Sequence, residues 1–452
     1  MIPTALLAAA DPLSGQALDT PFGQRLMGLV GIATMILVAW LMSLDRKRID
    51  WRLVGAGLAL QGVFGFIVLR TAAGRWFFRT MGEWVSVLLG FAVEGARFVF
   101  GNMTGSTVPV GTPSAGGVIS EGLVADTGAF FAFTVLPTII FFSSLMSVLY
   151  HLGIMQLVVR GMAWVMQRTL RTSGAETLSA SGNIFVGQTE APLLIKPFVQ
   201  QMTFSELHTV MTGGFATVAG GVLAIYVLML QDAIPGIAGH LIAASVMNAP
   251  AGILLSKIIV PETGEPVTRD SLQISVEKTE SNVIDAAAAG AATGWRLAIN
   301  VGAMLMAFVS LMALLNAMLG WAGGLVGFEG LTLQNLLGII VRPLAWVMGV
   351  PWESTGYVGG LIGIKVILTE LVAYSTMAAD LASGASLDPR SAVILAYALL
   401  GFANVPSIAI QIGGISGLAP DRRSDLARAG LRAMVAGNLA AFMSASWAGM
   451  LI

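Results

Sequence analysis

The sequence predicts an all-α protein that crosses a membrane several times, and three observations support this prediction. Of its 452 residues, 56% are hydrophobic and only 11% are charged, whereas soluble domains carry about 25% charged residues. The mean hydropathy is +0.82. A soluble chain could not cover its surface with so few charges, so the apolar excess must face lipid. The 54 glycines and 17 prolines suit closely packed and interrupted membrane helices.

The composition also excludes several kinds of protein. A net charge of −1 argues against a nucleic-acid partner. The absence of cysteine rules out disulfides, thiolate metal sites and cysteine nucleophiles. No G-x-x-x-x-G-K-[ST] motif is present, so the sequence does not predict a P-loop ATP-driven pump.

Eight stretches approach or reach the roughly 20 apolar residues that a membrane span needs. They are residues 24–44, 53–69, 127–150, 209–231, 233–256, 297–320, 391–412 and 433–452. Residues 1–70 thus hold a short N-terminal tail and the first two spans, and residues 71–452 form the core with the remaining six spans. The first ten residues lack the basic start of a signal peptide, so they are interpreted as tail.

The lysines and arginines of the loops predict that both termini lie outside. With the N-terminus outside, the inside loops hold 16 basic residues and the outside loops hold 7. The short loops 45–52 and 413–432 are both basic, and both fall inside. Eight spans then return the C-terminus to the outer face of the cell membrane.

The segments between the spans are of two kinds. Residues 75–100, 154–170 and 331–348 mix apolar runs with arginine or polar residues, which is typical of amphipathic helices lying along a membrane surface. Residues 101–126, rich in Gly, Ser, Thr and Pro, predict an outside loop, and the polar residues 261–285 predict an inside loop. None of these segments is long enough for a second domain.

Two further segments are apolar but interrupted. Residues 174–200 and 351–380 each contain a central glutamate together with glycine or proline. Each is long enough for two half-helices and a tip, which predicts re-entrant hairpins that enter and leave on one side. Non-helical backbone at membrane depth persists only when it is buried in protein or lines a water-filled cavity.

The two halves of the chain resemble each other. The first hairpin contains Gln188-Thr189-Glu190, the second contains Leu368-Thr369-Glu370, and a glycine-rich apolar helix follows each hairpin. The predicted topology opens the first hairpin from inside and the second from outside. This arrangement predicts an inverted repeat with a substrate site near the bilayer midplane, the common plan of secondary transporters.

Glu190 and Glu370 are the strongest candidates for function, because an ionisable group at membrane depth costs several kcal/mol unless it is hydrated or paired. One interpretation is a structural ion pair with Lys196 or Lys365. The other is a pair of acceptors for a cation or for substrate hydroxyls, since a carboxylate can accept two donors from a vicinal diol.

Amides near these carboxylates offer both donors and acceptors, which suits a heterocycle edge or a hard cation. Asn183, Gln188, Thr189 and Asn404 lie in the interrupted segments, and Phe402 could line a planar ligand. Lone amides such as Asn248 and Asn316 are interpreted instead as interhelical hydrogen-bonding groups. The three histidines show no i, i+4 pairing, so metal catalysis has no support.

Five segments together resemble the concentrative nucleoside transporter family. They are FAFTVLPTIIFFSSLMSVLYHLG (131–153), SGNIFVGQTEAPLLIKPF (181–198), GGFATVAGGVLA (213–224), NVGAMLMAFVSLM (300–312) and GFANVPSIAIQIGG (401–414). The resemblance covers about residues 75–452. It implies eight transmembrane helices, two re-entrant hairpins and three interfacial helices assembled as a homotrimer, and symport of nucleosides with Na⁺ or, in some members, H⁺.

The resemblance also implies a role for particular residues. The substrate-binding set would be Gln188, Thr189, Glu190 and Val222 at the nucleobase, and Glu370, Asn404 and Ser407 at the ribose with Phe402 nearby. The Na⁺ set would be Asn183, Thr217 and the carbonyls of Val186 and Val218. Oxygen ligands of this kind suit a hard cation.

This sequence departs from the family pattern at several positions. Thr217 stands where Ser is common, Thr369 where Asn is expected, and Pro406 where a small polar residue is common. Because proline lacks an N–H, we expect Pro406 to distort the helix between Asn404 and Ser407. The loop at 101–126 is longer than is typical. Retention of the Gln-Thr-Glu motif favours Na⁺ over H⁺.

Three alternatives remain open at this point. An H⁺-coupled nucleoside symporter would titrate one of the two glutamates. A passive channel would need a continuous polar pore, whereas the polar residues here cluster at two breaks. A membrane-embedded enzyme could use Glu190 and Glu370 as an acid–base pair, but the sequence predicts no enzyme and no organic cofactor.

Overall fold

A computed structural model describes residues 20–105, 107–110, 123–126, 131–269, 280–325, 327–328 and 330–452. The predicted N-terminal tail lies outside these residues, as do parts of the predicted loops 101–126 and 261–285. Within the first of these loops, strands β1 (Thr107–Val110) and β2 (Leu123–Asp126) pair antiparallel with Thr107 opposite Asp126. This small ladder is the one departure of the described residues from an all-α fold.

The described part of the chain begins with three helices: α1 (Phe22–Leu41), α2 (Trp51–Arg70) and α3 (Ala72–Phe100). Asp50 starts α2 because its carboxylate accepts from the N–H groups of Arg52 and Leu53. Only Thr71 separates α2 from α3, and a side chain at Gly74 would lie 1.9 Å from the Ile67 carbonyl oxygen. A glycine is therefore required for this tight turn.

The structure has a helix at each of the three segments that the sequence predicts to lie along the membrane surface. They are α3, α5 (Ile154–Leu170) and α12 (Leu333–Val347). Helix α3 is longer than predicted, and by length and composition alone it could cross a membrane. The prediction that it lies along the surface therefore stays a prediction.

Two long helices pack against each other: α4 (Phe131–His151) and α11 (Val283–Leu325). Gly290 and Gly294 allow the contact, because a Cβ at either position would come within 2.7 Å of the α4 backbone. Helix α11 has 43 residues, far more than the predicted span 297–320. At 1.5 Å per residue it extends roughly 64 Å.

The predicted first hairpin is observed as helix α6 (Gly174–Gly182), a non-helical tip, a short 3₁₀ turn (Ala191–Ile195) and helix α7 (Lys196–Val199). The second is observed as helices α13 (Thr355–Ile367) and α14 (Glu370–Ala382). Thr369 caps α14 by accepting from the Val372 N–H, so threonine serves where asparagine was expected.

Two predicted spans are interrupted in the same way. The predicted span 209–231 is helix α8 (Phe204–Ala216) followed by helix α9 (Gly220–Leu230). The predicted span 391–412 is helix α15 (Pro389–Leu399) followed by helix α16 (Val405–Ser416). We refer to residues 217–219 as the first break and residues 400–404 as the second break.

A continuous helix follows each broken one: α10 (Ile237–Ile259) after the first and α17 (Arg423–Leu451) after the second. Among the described residues, eight helical segments are long and apolar enough to cross a membrane when α8 and α9 are counted together. The number agrees with the prediction, but the membership differs, since α3 is included and the interrupted 389–416 segment is not. In each half, the predicted hairpin segment is followed by an interrupted helix and then by a continuous helix, whereas the sequence predicts an uninterrupted helix after each hairpin segment.

A buried ionic cluster joins the base of the first hairpin to the helices behind it. Lys257 of α10 lies 2.8 Å from a Glu176 oxygen and 3.2 Å from a Glu262 oxygen. Ser173, the N-cap of α6, donates to Glu206 in the first turn of α8. Both Glu176 and Glu206 close capping boxes, so the starts of α6 and α8 are tied together.

Candidate functional site

The two breaks lie against each other. The Phe402 N–H donates to the Thr217 carbonyl at 3.3 Å. Gly401 has φ +114°, and a Cβ there would lie 2.6 Å from the Phe215 carbonyl oxygen. Only glycine has both the conformation and the space that this approach requires. Segments from both halves of the chain therefore meet at one place.

One asparagine from each continuous helix holds the adjacent break. Asn248 of α10 donates to the Ala216 carbonyl at 2.7 Å, and Asn438 of α17 donates to the Ala403 carbonyl at 2.8 Å. A carbonyl freed by a break needs such a partner when no water reaches it. The interpretation of Asn248 as an interhelical hydrogen-bonding group is confirmed, as it is for Asn316, which donates to Gln334 at 3.1 Å.

Glu370, at the start of α14, is held by two donors. The Tyr226 hydroxyl of α9 donates to Glu370 Oε1 at 2.9 Å, and Asn404 Nδ2 donates to Oε2 at 2.8 Å. The Tyr226 ring stacks on Tyr374 with centroids 4.3 Å apart. Only 4% of Glu370 is exposed, but each carboxylate oxygen retains a lone pair for a further donor.

The same hydrogen-bond network continues to the first hairpin. Asn404 caps α16 by accepting from the Ser407 N–H at 2.9 Å. The Ser407 hydroxyl accepts from Gln188 Nε2 at 3.3 Å. Gln188 Oε1 in turn accepts from Gln411 Nε2 at 3.0 Å. An unbroken chain of polar contacts therefore joins the tip of the first hairpin to the second hairpin.

The expected distortion at Pro406 is wrong. Asn404 is the N-cap of α16, so Pro406 falls in the first turn, where the missing N–H has no helical partner to lose. Proline at this position is compatible with the cap that links Asn404 to Ser407.

The other residues of the Gln-Thr-Glu motif behave differently. The Glu190 carboxylate folds back to accept from the Gly187 N–H, and its side chain is exposed. The Thr189 methyl group packs against α16, where a Cβ at Gly414 would lie only 2.8 Å from it. Val222, in the first turn of α9, is buried, and Phe402 in the second break is partly buried.

The four candidate Na⁺ residues lie beside the first break. The Gly220 N–H donates to the Phe185 carbonyl at 2.9 Å, which brings residues 183–186 against residues 217–220. Asn183 is 1% exposed, and its Oδ1 has no hydrogen-bond partner among the described residues. A buried amide oxygen without a donor fits a cation ligand.

Thr217 and the two valines complete this candidate ion site. The Thr217 hydroxyl donates to the Gly213 carbonyl at 2.9 Å, so its lone pairs remain available. Val218, within the break, is fully buried, and Val186 is partly buried. The donor set is therefore made of neutral oxygens, as Na⁺ prefers.

The ion-pair interpretation of the two glutamates finds no support. Lys365 is fully buried and donates to the Ala398 carbonyl at 2.8 Å and the Leu400 carbonyl at 3.3 Å. Lys196 is exposed. The ion pairs of the described residues involve neither glutamate. The same residues contain no cluster of three His, Asp or Glu side chains suited to a metal.

Sequence reasoning missed two members of the network, Tyr226 and Gln411. Gln411 lies four residues after Ser407 on α16, so helical spacing alone puts them on one face. No such local signal exists for Tyr226, which lies 144 residues before Glu370.

Comparison with known proteins places matches to one family along most of the chain. The chain matches models described as Na⁺ dependent nucleoside transporter N-terminus over residues 30–103 and C-terminus over residues 240–449. A third model, described as nucleoside recognition, matches residues 132–233.

Relatives match along nearly the whole chain. An uncharacterized transporter of Bacillus subtilis, YutK, is 45% identical over 94% of this chain and 99% of its own length. The sodium/nucleoside cotransporter 1 of Rattus norvegicus is 40% identical over 99% of this chain and 67% of its own length. The solved structure of CNTnw in an inward-facing substrate-bound state is 43% identical with a TM-score of 0.83, and it covers 95% of this chain and 98% of that one.

Proposed function

Because this chain belongs to the concentrative, Na⁺-dependent nucleoside transporter family, we propose that it is a symporter that imports nucleosides across the cell membrane with Na⁺. The family is one of transporters and not of enzymes. The observation that carries the proposal is the hydrogen-bond chain from Gln188 through Ser407 and Asn404 to Glu370. This chain links the tips of both hairpins.

The proposed substrate site matches the chemistry of a nucleoside. Glu370, Asn404 and Ser407 hold the ribose hydroxyls, because a carboxylate with free lone pairs accepts from a diol. Gln188 and Glu190 contact the edge of the base. Thr189 is assigned to the same end, although its methyl group packs on Gly414.

Apolar groups complete the proposed base pocket. Val222 and Phe402 line the flat faces of the base, and each lies at or next to one of the two breaks. A nucleotide would need Lys or Arg beside its phosphates. Lys365 is occupied by backbone carbonyls, so this buried cation does not provide that partner.

The proposed Na⁺ ligands are Asn183 Oδ1, the Thr217 hydroxyl and the carbonyls of Val186 and Val218. The unpartnered Asn183 Oδ1 supports this assignment most directly. Asn183 lies five residues before Gln188, so an ion bound there orders the same tip that contacts the base. This proximity would couple the ion to the substrate.

The membrane arrangement is proposed from the same observations. Both hairpins are re-entrant with opposite orientation, α3, α5 and α12 lie at the membrane surface, and the two halves form an inverted repeat. The matched roles of Asn248 and Asn438 in the two halves support the repeat. We also propose both termini outside and assembly as a homotrimer.

Transport follows from movement of the two hairpins together with the breaks between them. The block carrying both hairpins moves across the membrane against a fixed frame that also supplies the trimer contacts. One charge crossing about 100 mV provides ~2.3 kcal/mol, and a tenfold Na⁺ gradient adds ~1.4 kcal/mol. Together these terms would support roughly 500-fold accumulation for one ion.

The test is uptake of radiolabelled uridine and adenosine into proteoliposomes under an inward Na⁺ or H⁺ gradient at matched voltage. We expect accumulation with Na⁺ only. Accumulation with H⁺ only would move the coupling to a carboxylate, and equilibration without accumulation would indicate a channel. Failure of active, folded protein to take up either nucleoside would refute the substrate class.

Glu370→Gln provides the matching variant. The amide keeps the size of the side chain but removes the charge and one acceptor, so we expect uptake to be abolished while expression and assembly stay normal. Uptake at the wild-type rate would remove Glu370 from the site. Glu353→Gln, on an exposed turn before α13, is the control and should leave uptake unchanged.

A further inference from the structure

Gln411 is a fully buried amide whose nitrogen makes two hydrogen bonds. Its Nε2 donates to the Met211 carbonyl at 3.1 Å and to Gln188 Oε1 at 3.0 Å. Its own Oε1 has no partner among the described residues. The side chain is therefore turned so that both of its hydrogens are used and its acceptor is not.

The Met211 carbonyl determines the direction of this chain of hydrogen bonds. A backbone carbonyl can only accept, so Gln411 must turn its nitrogen toward it. The second hydrogen on that nitrogen then requires an acceptor, so Gln188 must present its oxygen to Gln411. Gln188 Nε2 is consequently directed to the Ser407 hydroxyl, at 3.3 Å.

Gly214 of α8 makes the contact between the two glutamines possible. A Cβ at this position would lie 2.8 Å from Gln411 Nε2 and 3.0 Å from the Gln188 Cβ. A side chain there would push the amides apart. The fold thus leaves room for a contact between residues 223 positions apart in the chain.

We propose that Gln411 is a positioning residue that sets the orientation of the Gln188 amide and thereby determines which base edge the transporter accepts. This inference rests on the proposed function, in which Gln188 contacts the base. With its amide held in one orientation, Gln188 offers the ligand one remaining N–H and one remaining lone pair at defined places.

Uridine and cytidine distinguish the two possible orientations. The uracil edge presents an N–H donor beside a carbonyl acceptor, and the cytosine edge presents a ring-nitrogen acceptor beside an amino donor. An amide held in one orientation forms hydrogen bonds with one of these edges, whereas with the other edge its donor faces a donor and its acceptor faces an acceptor. A site built to hydrogen-bond one pattern rejects the mismatched one because its own polar groups are left unpaired.

The experiment measures the ratio of the uridine and cytidine dissociation constants at saturating Na⁺ in purified protein. Gln411→Met removes both hydrogen bonds at similar volume, so Gln188 can rotate and the ratio should move about tenfold toward one, the size of one hydrogen bond. Gln411→Glu places an acceptor toward Gln188, since any proton it carries goes to the Met211 carbonyl. Its ratio should reverse.

Gln61→Met is the matched control, because Gln61 is also fully buried and its amide nitrogen also donates twice, to Ser444 at 2.8 Å and to the Met247 carbonyl at 3.4 Å, and neither partner belongs to the Gln188 network. It should leave the ratio unchanged. Gly214→Ala should also move the ratio toward one, as Gln411→Met does. It provides a second variant that tests the orientation of Gln188 if Gln411→Glu does not fold.

If the role of Gln411 were merely structural, its substitution would weaken the binding of uridine and cytidine by the same factor. Equal affinities in the wild type, or an unchanged ratio in folded Gln411→Met, would overturn the inference and leave the proposed function standing. If the wild type binds neither nucleoside, the proposed function itself fails.

Discussion

At the scale of single residues, the candidate site depends on side chains that satisfy one another before any ligand arrives. Glu370 accepts from Tyr226 and Asn404, and Asn404 also caps α16. Buried polar groups of this kind hold a site in one geometry because each leaves its neighbour unpaired if it moves. Tyr226 is the member that no local pattern indicated.

Tyr226→Phe tests this arrangement. The variant removes one of the two donors that orient Glu370, so we expect nucleoside affinity to fall about fivefold, corresponding to ~1 kcal/mol for one hydrogen bond. Isothermal titration at saturating Na⁺ measures the change. The affinity for nucleosides that lack the 2′ and 3′ hydroxyls should fall much less in this variant.

Tyr374→Phe is the control for the ring stack, since the Tyr374 hydroxyl donates to the Ala396 carbonyl at 2.7 Å and not to Glu370. It should leave the ratio between ribosides and dideoxyribosides unchanged. An identical loss for both kinds of nucleoside in Tyr226→Phe would contradict the orienting role.

At the scale of elements, the two broken helices are stabilised from behind by the continuous helices α10 and α17. Asn248 and Asn438 each donate to the carbonyl on which a break depends. Such breaks would be costly in a membrane, because an unsatisfied backbone group there costs several kcal/mol. The hydrogen bond from each asparagine therefore offsets the free-energy cost of the carbonyl that its break leaves without a helical partner.

We predict that Asn248→Leu and Asn438→Leu each destabilise the protein by ~1–3 kcal/mol, the cost of a buried carbonyl left unpaired. The readout is the midpoint of thermal unfolding in detergent. Asn335→Leu, on an exposed position of α12, is the control and should change the midpoint little. An unchanged midpoint in both buried variants would show that water satisfies the two carbonyls instead.

At the scale of the whole molecule, the proposed ion site and the proposed substrate site share one non-helical segment. Asn183 is the C-cap of α6, and Gln188 follows within the non-helical tip. The network then reaches Glu370 in the other half of the chain. Ion binding and nucleoside binding should therefore be coupled, and coupling between two ligands is reciprocal.

We predict that saturating Na⁺ raises nucleoside affinity by about 5- to 150-fold, the usual range of such coupling, and that saturating nucleoside raises Na⁺ affinity by the same factor. Titrations in both orders measure the two factors. Asn183→Ala should abolish the coupling, whereas Asn316→Ala, at the contact between α11 and α12, should preserve it. Retained coupling in folded Asn183→Ala would exclude this residue from the ion site.

Much of the architecture could be predicted because hydropathy and local motifs are properties of a linear sequence. The membrane class, the two interrupted segments and the candidates Glu190 and Glu370 follow from the apolar runs and their interruptions, whereas Val222, Ser407 and Val186 are candidates only through the family resemblance. The interruptions within the predicted spans 209–231 and 391–412 could not be predicted, because both breaks are as apolar as the helices around them. Hydropathy cannot distinguish an unwound segment from a helix when distant side chains satisfy its carbonyls.

The sequence by itself thus determined that this is a helical membrane protein with polar groups placed where its apolar segments are interrupted. The tertiary structure alone decided which of these groups meet. Tyr226 reaches Glu370 across 144 positions and Gln411 reaches Gln188 across 223. Such pairings depend on how whole helices cross. An unpaired polar side chain costs free energy only when it is buried, so each pairing becomes necessary only once the helices have packed.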